Sequence, residues 1–410
     1  MPDSHPQPSD GASADTTALL LCGARLTDGR IVDVRLSGGL IEAVGTAGSL
    51  TAHSSRVDLS GYLLLPAPAE AHGHGDTALT ADSPGPVSYE TEEVQRRATE
   101  AALLQLGHGA TALRSHVRIG DVQGLGPLEA VLQARRSLRG LADLTAVAVP
   151  RLLTGTAGAD GLAMLRDAVK MGAGVVGGCP DADPDPSGYA EAVLEVAAEH
   201  GCPVDLHTHA DDPARLARLA AMAGGLRPGV VIGPCAGLAR LPRDIASRAA
   251  DQLAAAGVTV VCLPQGGCAA VEQRGNAPVR LLRAAGVRVA AGGGTLRDVS
   301  NPVGRGDPLE PAYLLASQSG MRPQAAYGAV SADARAAMGL PEVRVEAGFP
   351  AELLAVRGER LSGVLSLAYS RIVIHRGRVV ARTSAVREYC DWAAAVALEL
   401  PRQGRSDTCP

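Results

Sequence analysis

Aromatic residues and lysine are nearly missing from this chain of 410 residues. Phe, Trp and Tyr together make up 2% of the sequence, and Lys170 is its sole lysine. A core must therefore be built from Leu, Val and Ala, within a hydrophobic fraction of 46%. The remaining basic residues are arginine, which we attribute to a bias in genomic base composition. This composition predicts a well-buried globular protein.

Strong charge of either sign is also lacking. The net charge is −5 and the isoelectric point is about 6.1, which gives no sign of a nucleic-acid partner or an anionic membrane. No apolar run reaches 18 residues, and the first sixteen residues lack the basic and apolar parts of a signal peptide. We therefore expect a soluble, cytoplasmic protein with no membrane and no nucleic-acid partner.

The eight cysteines form no CxxC pair. Scattered cysteines in a chain of this size indicate reduced thiols and not a disulfide framework. Cys179 and Cys235 lie at predicted strand ends, where we expect them to act as small hydrophobic residues and not as nucleophiles or soft ligands.

A repeated pattern fills the middle of the chain. An Ala/Leu/Arg-rich stretch ends in Gly and is followed by a short apolar run, as in "VAAEHGCPVDLHTH" and "QLAAAGVTVVCLP". The Gly favours a helix end, and the apolar run favours a strand that is buried on both faces. Eight such strands predict a (β/α)8 TIM-type barrel over 66–345. A doubly wound open sheet is the alternative, but its usual Gly-rich phosphate loop is not seen.

Both ends of the chain have a different texture. Short strand-like segments separated by Gly, Asp and Ser occupy 17–65 and return at 346–383, which predicts one small flanking β-sandwich built from both chain ends. Residues 1–16 are rich in Ser, Asp and Pro and predict a disordered tail. We expect a C-terminal helix and tail over 384–410.

Five of the ten histidines fall at the predicted ends of strands 1, 2 and 5. Active sites of this fold lie at the carboxyl ends of the strands. In "EAHGHGDTALT", the two histidines are separated by one residue, so on a strand they point to the same face. Imidazoles gathered in this way are typical of a divalent metal site. The five histidines are His72, His74, His116, His207 and His209.

The sequence resembles the amidohydrolase superfamily, specifically its cytosine deaminase-like branch. The resemblance covers about 17–383 and includes "LLLPAPAEAHGHGDTALT", "VDLHTHADD" and the "RDVSNPVG" segment after strand 8. In that family, two strand-1 histidines, a strand-5 histidine and a strand-8 aspartate hold a metal whose water attacks the substrate. The resemblance implies a Zn or Fe ion at His72, His74 and His207. It also implies hydrolysis of a C–N bond in a small cyclic or amide compound.

Three positions of that machinery are replaced in this chain. The proton-shuttle glutamate aligns with Ala210, the strand-6 histidine with Pro234 and the strand-8 aspartate with Gly294. The implied metal site is therefore an incomplete three-histidine site. We expect altered chemistry in which His209 and Asp298 are the candidate catalytic residues. The alternative is a non-catalytic relative, a pseudoenzyme that binds a small ligand or a protein partner.

Four residues are candidates for substrate binding: Asp76, Arg114, His116 and Arg151. The first three follow the family pattern, whereas Arg151 stands where a glutamine often helps to hold a pyrimidine, and Arg118 replaces an aspartate. Arginine is a good clamp for carboxylate or phosphate, so we expect a small-molecule ligand with anionic character. Structural ion pairs are the alternative for these arginines. A homo-oligomer is compatible with the sequence.

Overall fold

The computed structural model describes residues 18–51, 55–156, 158–266, 275–367 and 370–385. The predicted N-terminal tail, and all but the first two residues of the predicted C-terminal helix and tail, lie outside the described residues. Within the described ranges, no helix is both long and apolar enough to cross a membrane.

Eight parallel strands and their helices form the barrel that the sequence predicts, which confirms the predicted fold class. The strands follow one another around the sheet in chain order, and a bridge between Gly73 and Gly294 brings its two edges together. Most strand residues are buried because helices cover the outer side. The strands are β6 (Ala69–Gly73), β7 (Ala112–Ile119), β8 (Asp143–Pro150), β9 (Val175–Gly178), β10 (Val204–Thr208), β11 (Val230–Pro234), β12 (Thr259–Cys262) and β13 (Val289–Ala291).

The helices begin and end at residues that the chemistry of helix ends favours. Asp185 accepts a hydrogen bond from the Gly188 amide at the start of α4, and Gly201 ends that helix with a φ of 65°. Asp212 caps α5 in the same way. The described helices are α1 (Thr91–Gly107), α2 (Gly126–Ser137), α3 (Gly158–Met171), α4 (Pro186–His200), α5 (Pro213–Ala223), α6 (Arg243–Ala255), α7 (Val279–Ala284), α8 (Leu309–Gln318), α9 (Pro323–Val330), α10 (Ala332–Ala337) and α11 (Leu361–Leu367).

The two ends of the chain share one mixed sheet beside the barrel. Its hydrogen-bonded order is β16-β15-β14-β5-β1-β2-β3, with β4 paired to β1. The strands are β1 (Leu19–Arg25), β2 (Ile31–Ser37), β3 (Leu40–Thr46), β4 (Ser55–Asp58), β5 (Tyr62–Pro66), β14 (Leu353–Arg357), β15 (Arg371–His375) and β16 (Arg378–Thr383). The exact boundaries of the units, at 65/66 and 345/346, stay a prediction.

Strand β5 shows why the sheet and the barrel pack together. Leu64 belongs to the core of the flanking sheet, whereas its neighbours Leu63 and Leu65 belong to the core of the barrel. Alternation along a strand places these side chains on opposite faces. The run "YLLLP" is therefore apolar throughout because each of its faces meets a different core.

Polar contacts reinforce this joint. The Tyr327 hydroxyl donates to the Pro66 carbonyl at 2.6 Å, just before β6 enters the barrel. The guanidinium of Arg371, only 4% exposed, pairs with Asp307 at 2.6 Å and donates to the His108 carbonyl at 2.6 Å. These contacts fix the sheet to β6 and to the helices around the barrel.

Candidate metal centre at the barrel mouth

Histidines from three strands meet at the carboxyl end of the barrel. His72 lies in β6, His74 directly follows it, and His116 lies in the neighbouring strand β7. One ring nitrogen of each of these three residues lies within 4.8 Å of the others. His207, in β10, completes the group from across the barrel. Alternation along each strand, with the closure of the barrel, therefore gathers imidazoles from distant parts of the chain.

The ring distances show which histidines are closest. The centroids of His72 and His116 are 3.9 Å apart, and those of His74 and His116 are 5.5 Å apart. His207 lies at 5.4 Å from His72 and 6.5 Å from His74. The ring of His207 is thus as far from that of His72 as the ring of His74 is, 5.4 Å in each case, and it is the nitrogen distances that group His72, His74 and His116. The family resemblance implied His207 as the third ligand and His116 as a substrate-binding residue.

The imidazoles of His72, His74 and His207 are held in their neutral form. Burial lowers the pKa of His72 and His74 well below 6.5, and repulsion from neighbouring imidazoles lowers it further. Burial likewise lowers the pKa of His207 to about 3, with repulsion from His116 and His209 adding to the effect. Neutral imidazole is the form that binds a metal, so these three side chains can bind a cation at ordinary pH.

The buried nitrogens of the cluster fit a divalent ion. Both ring nitrogens of His72 and Nδ1 of His116 are buried without a hydrogen-bond partner among the described residues. Leaving such a group unsatisfied costs about 1–3 kcal/mol in folding. Coordination to a cation would satisfy it. Imidazole nitrogens suit zinc and iron, so the donor set agrees with the metal that the sequence predicts.

The buried carboxylate of Asp205 contacts both His116 and Arg114. Asp205 has one oxygen 3.3 Å from His116 Nε2 and the other 2.7 Å from Arg114 Nη1. Burial alone would raise the pKa of Asp205, yet His116 and Arg114 together hold it below its usual value. Arg114 also donates to the Ala337 carbonyl at 3.2 Å. Arg114, predicted to bind substrate, therefore lies in a buried ion pair behind the cluster.

The three replaced positions bring no side-chain ligand to the cluster. Pro234 ends β11, and Ala210 is buried with a φ of 55° just after β10. Gly294 has a φ of 75°, and a Cβ added there would lie 3.3 Å from a methyl group of Leu263. An aspartate at Gly294 would therefore need a strained backbone as well as space.

Asp298 and Arg151, which the sequence predicted for the site, each have a partner outside the histidine cluster. The carboxylate of Asp298 accepts hydrogen bonds from Thr77 at 3.1 Å and from the amides of Ser300 and Asn301, so it organises a loop. The side chain of Arg151 is 70% exposed and pairs with Asp121 at 3.2 Å.

Asp76 and His209 lie in the segments that directly follow β6 and β10. Asp76 is buried, which raises its pKa, and it accepts the backbone N–H of Arg118 at 3.3 Å. His209 is partly buried, its ring is 6.0 Å from that of His207, and its Nδ1 has no hydrogen-bond partner in the described part of the chain. Asp181 accepts the His209 backbone N–H at 2.8 Å.

Glu70 is a buried carboxylate that the sequence reasoning did not single out. Its two oxygens accept the Gly293 amide at 3.0 and 2.9 Å, and one accepts the His72 amide at 3.0 Å. Burial raises its pKa to about 7. A Cβ at Gly292 would lie 2.6 Å from this carboxylate, so the glycines after β13 leave room for it. An acidic residue in a buried strand, two positions before His72, was the available signal.

Comparisons with known proteins agree with this architecture. A family model described as "Amidohydrolase family" matches residues 84–381. Pterin deaminase from Rhizobium rhizogenes is 26% identical over 387 residues, which cover 86% of this chain and 88% of that protein. N-isopropylammelide isopropyl amidohydrolase from Pseudomonas sp. is 27% identical over 177 residues, or 37% of this chain and 43% of that protein.

Solved structures give the same result. The crystal structure of N-isopropylammelide isopropylaminohydrolase from Burkholderia multivorans superposes with a TM-score of 0.79 at 25% identity, covering 90% of this chain and all of that one. 5-Methylcytosine deaminase from Klebsiella pneumoniae, crystallised with 5-fluorocytosine, has a TM-score of 0.79 at 23% identity and covers 92% of this chain and all of its own. The second likeness shows the fold alone.

Proposed function

Because this chain belongs to the amidohydrolase family and has the fold of its cytosine deaminase-like branch, we propose that it is a metal-dependent hydrolase of C–N bonds. The two curated relatives described above are a deaminase and an amidohydrolase, so C–N bond hydrolysis is what they share. The relative that aligns over most of both chains is a pterin deaminase. The proposed substrate is therefore a small nitrogen heterocycle, and the proposed leaving group is its exocyclic amine.

The main support is the cluster of His72, His74 and His116, in which both ring nitrogens of His72 and Nδ1 of His116 are buried without a hydrogen-bond partner among the described residues. In this proposal the three imidazoles hold a Zn or Fe ion, and His207 supplies a fourth nitrogen from β10. A bound ion of this kind lowers the pKa of a water and polarises the bond to be cleaved. The Asp205 carboxylate, 3.3 Å from His116 Nε2, would fix how the His116 ring presents its other nitrogen to the ion.

His209 is the proposed proton carrier. Ala210 and Gly294 remove the two carboxylates that move protons in the family, and Asp298 is occupied by loop hydrogen bonds. His209 lies at the end of β10 beside His207, and its buried Nδ1 is unpartnered within the described ranges. Histidine transfers protons near neutral pH when a ring nitrogen can reach the reacting group. Asp181 keeps the backbone of this segment in place through its bond to the His209 amide.

Metal content and ammonia release test the proposal together. We expect purified protein to carry about one zinc or iron per chain, and to release ammonia from at least one aminated heterocycle in a panel that includes pterin and cytosine. His72→Ala and His116→Ala should lose the ion, whereas His209→Ala should keep it and lose about 10²- to 10⁴-fold in rate. His200→Ala is the matched control, since His200 is exposed at the end of α4.

The opposite pattern would replace this proposal. If the protein takes up no ion when zinc or iron is supplied, and His72→Ala changes neither ion content nor ammonia release, the proposed hydrolase activity is wrong. A non-catalytic binding protein is then the better description. Loss of the ion in His207→Ala with retention in His116→Ala would instead restore the ligand set that the sequence resemblance implied.

A further inference from the structure

Arg118 occupies a special place at the mouth of the barrel. It is the last but one residue of β7, and it follows Arg114 and His116 at intervals of two residues. Alternation therefore turns all three side chains toward the same face. Arg114 and His116 are buried, whereas Arg118 is exposed, as expected where the strand reaches the mouth. Its guanidinium thus stands above the histidine cluster.

The reach of its charge supports this position. The pKa of His74 is lowered by burial, by His116 and His207, and then by Arg118. That of His207 is lowered by burial and also, more weakly, by Arg118. Arg118 acts in the same direction on Cys179, whose pKa burial raises. The charge of Arg118 therefore reaches side chains at the carboxyl ends of β6, β9 and β10, as its position in β7 predicts.

No carboxylate in the described part of the chain forms an ion pair with this guanidinium. Two other arginines that the sequence singled out are paired: Arg114 with Asp205 and Arg151 with Asp121. Asp76 accepts only the backbone N–H of Arg118. An arginine guanidinium is always charged and offers donors in a planar fork that matches a carboxylate. Its charge acts on the imidazoles of His74 and His207 and also on the buried Asp76 carboxyl, whose pKa it lowers. Because it forms no ion pair with Asp76, the guanidinium fork can bind an anion that enters the mouth.

We propose that Arg118 recognises a carboxylate on the substrate, so that the preferred substrates are heterocycles with both a C–N bond to be cleaved and a carboxylate substituent. This inference rests on the proposed function, because it places the ring between Arg118 and the histidine cluster. The sequence predicted that Arg151 binds an anionic ligand, but the charge of Arg151 is already balanced by Asp121. The proposal therefore assigns anion binding to Arg118 instead.

Paired ligands test the proposal without turnover. Binding of cytosine and of 5-carboxycytosine to the protein as purified is measured by calorimetry, for wild type and for Arg118→Met. We expect the variant to bind the carboxylated ring about 10- to 100-fold more weakly, and the neutral ring within about twofold of wild type. Arg118→Lys keeps the charge without the fork, so its loss should be smaller. Arg151→Met is the matched control and should change neither affinity by more than about twofold.

Two results would overturn the inference. If Arg118→Met loses the same affinity for both ligands, Arg118 does not recognise the carboxylate specifically. If it loses affinity for neither ligand, the carboxylate binds elsewhere. Circular dichroism and metal content of each variant show that it is folded and loaded. If wild type prefers the carboxylated ring through Arg118 but hydrolyses no heterocycle, the proposed function fails while carboxylate recognition stands.

Discussion

Replacement of Asp205 by asparagine measures how much a buried ion pair contributes to stability, compared with an exposed ion pair in the same barrel. The side chains of Asp205 and Arg114 are 0% and 1% exposed, and their charged atoms are 2.7 Å apart. Asp205→Asn leaves the Arg114 charge buried without a counter-ion, which costs about 3–5 kcal/mol of the free energy of unfolding. The matched control is Asp121→Asn. It breaks the exposed pair with Arg151, which is worth about 0–1 kcal/mol.

The assay is urea unfolding at pH 7, followed by far-UV circular dichroism, with a chelator present so that bound metal does not contribute. The pKa of Asp205 lies below the ordinary 3.8, since His116 and Arg114 outweigh the effect of burial. A carboxyl group with a lowered pKa stabilises the fold above its unfolded pKa and loses that contribution as the pH falls through the folded value. The difference between wild type and Asp205→Asn should therefore be complete at pH 7 and shrink below about pH 4.

Metal affinity gives this prediction a second readout. Without the carboxylate, the His116 ring loses the group that orients it, and the affinity for zinc should fall about 10- to 100-fold in competition with a chelating dye. Asp121→Asn should leave that affinity unchanged. If both variants lose the same stability and bind zinc equally well, Asp205 neither balances Arg114 nor positions His116, and the description of the site is wrong.

Two glycines near the site give further predictions. Gly293→Ala places a Cβ 2.9 Å from the buried Glu70 carboxylate and should lower the free energy of unfolding in urea by about 1–3 kcal/mol. Gly363→Ala, in α11 with open space around it, should raise the free energy of unfolding by about 0.5–1 kcal/mol. Equal effects of the two variants would contradict the tight fit around Gly293. Gly294→Asp restores the family residue, but its φ of 75° and the contact with Leu263 should keep metal affinity from rising; tighter zinc binding in dye competition would refute this.

The fold and the first two histidines were predictable because local patterns determine them. Gly at the helix ends and short apolar runs between helices define the barrel strands, and the register of a strand sets the common face of His72 and His74. The flanking sheet followed from the similar texture of both chain ends. Strand alternation also explains why "YLLLP" is apolar throughout, although which face meets which core is visible only in three dimensions.

The partners of the arginines were not predictable, because pairing depends on how distant strands meet. Arg114 and Asp205 are 91 positions apart, and nothing in either local sequence indicates that their side chains meet behind His116. The place of His116 itself was within reach of the sequence, since consecutive strands of a barrel are neighbours and β6 is followed by β7. The family resemblance drew attention instead to His207, on the opposite part of the barrel.

Charge balance connects the lost carboxylates with the proposed substrate. A divalent ion held by neutral imidazoles keeps its full charge, because Gly294 offers no anionic ligand and the charge of Asp205 is balanced by Arg114. Arg118 adds another positive charge at the mouth. Asp181, which faces this region, is engaged with Thr208 and with the His209 amide. In the proposed function, the positive charge of the ion and of Arg118 would favour a substrate that brings its own anion, and this links the replacement of the family carboxylates to the proposed carboxylated ring.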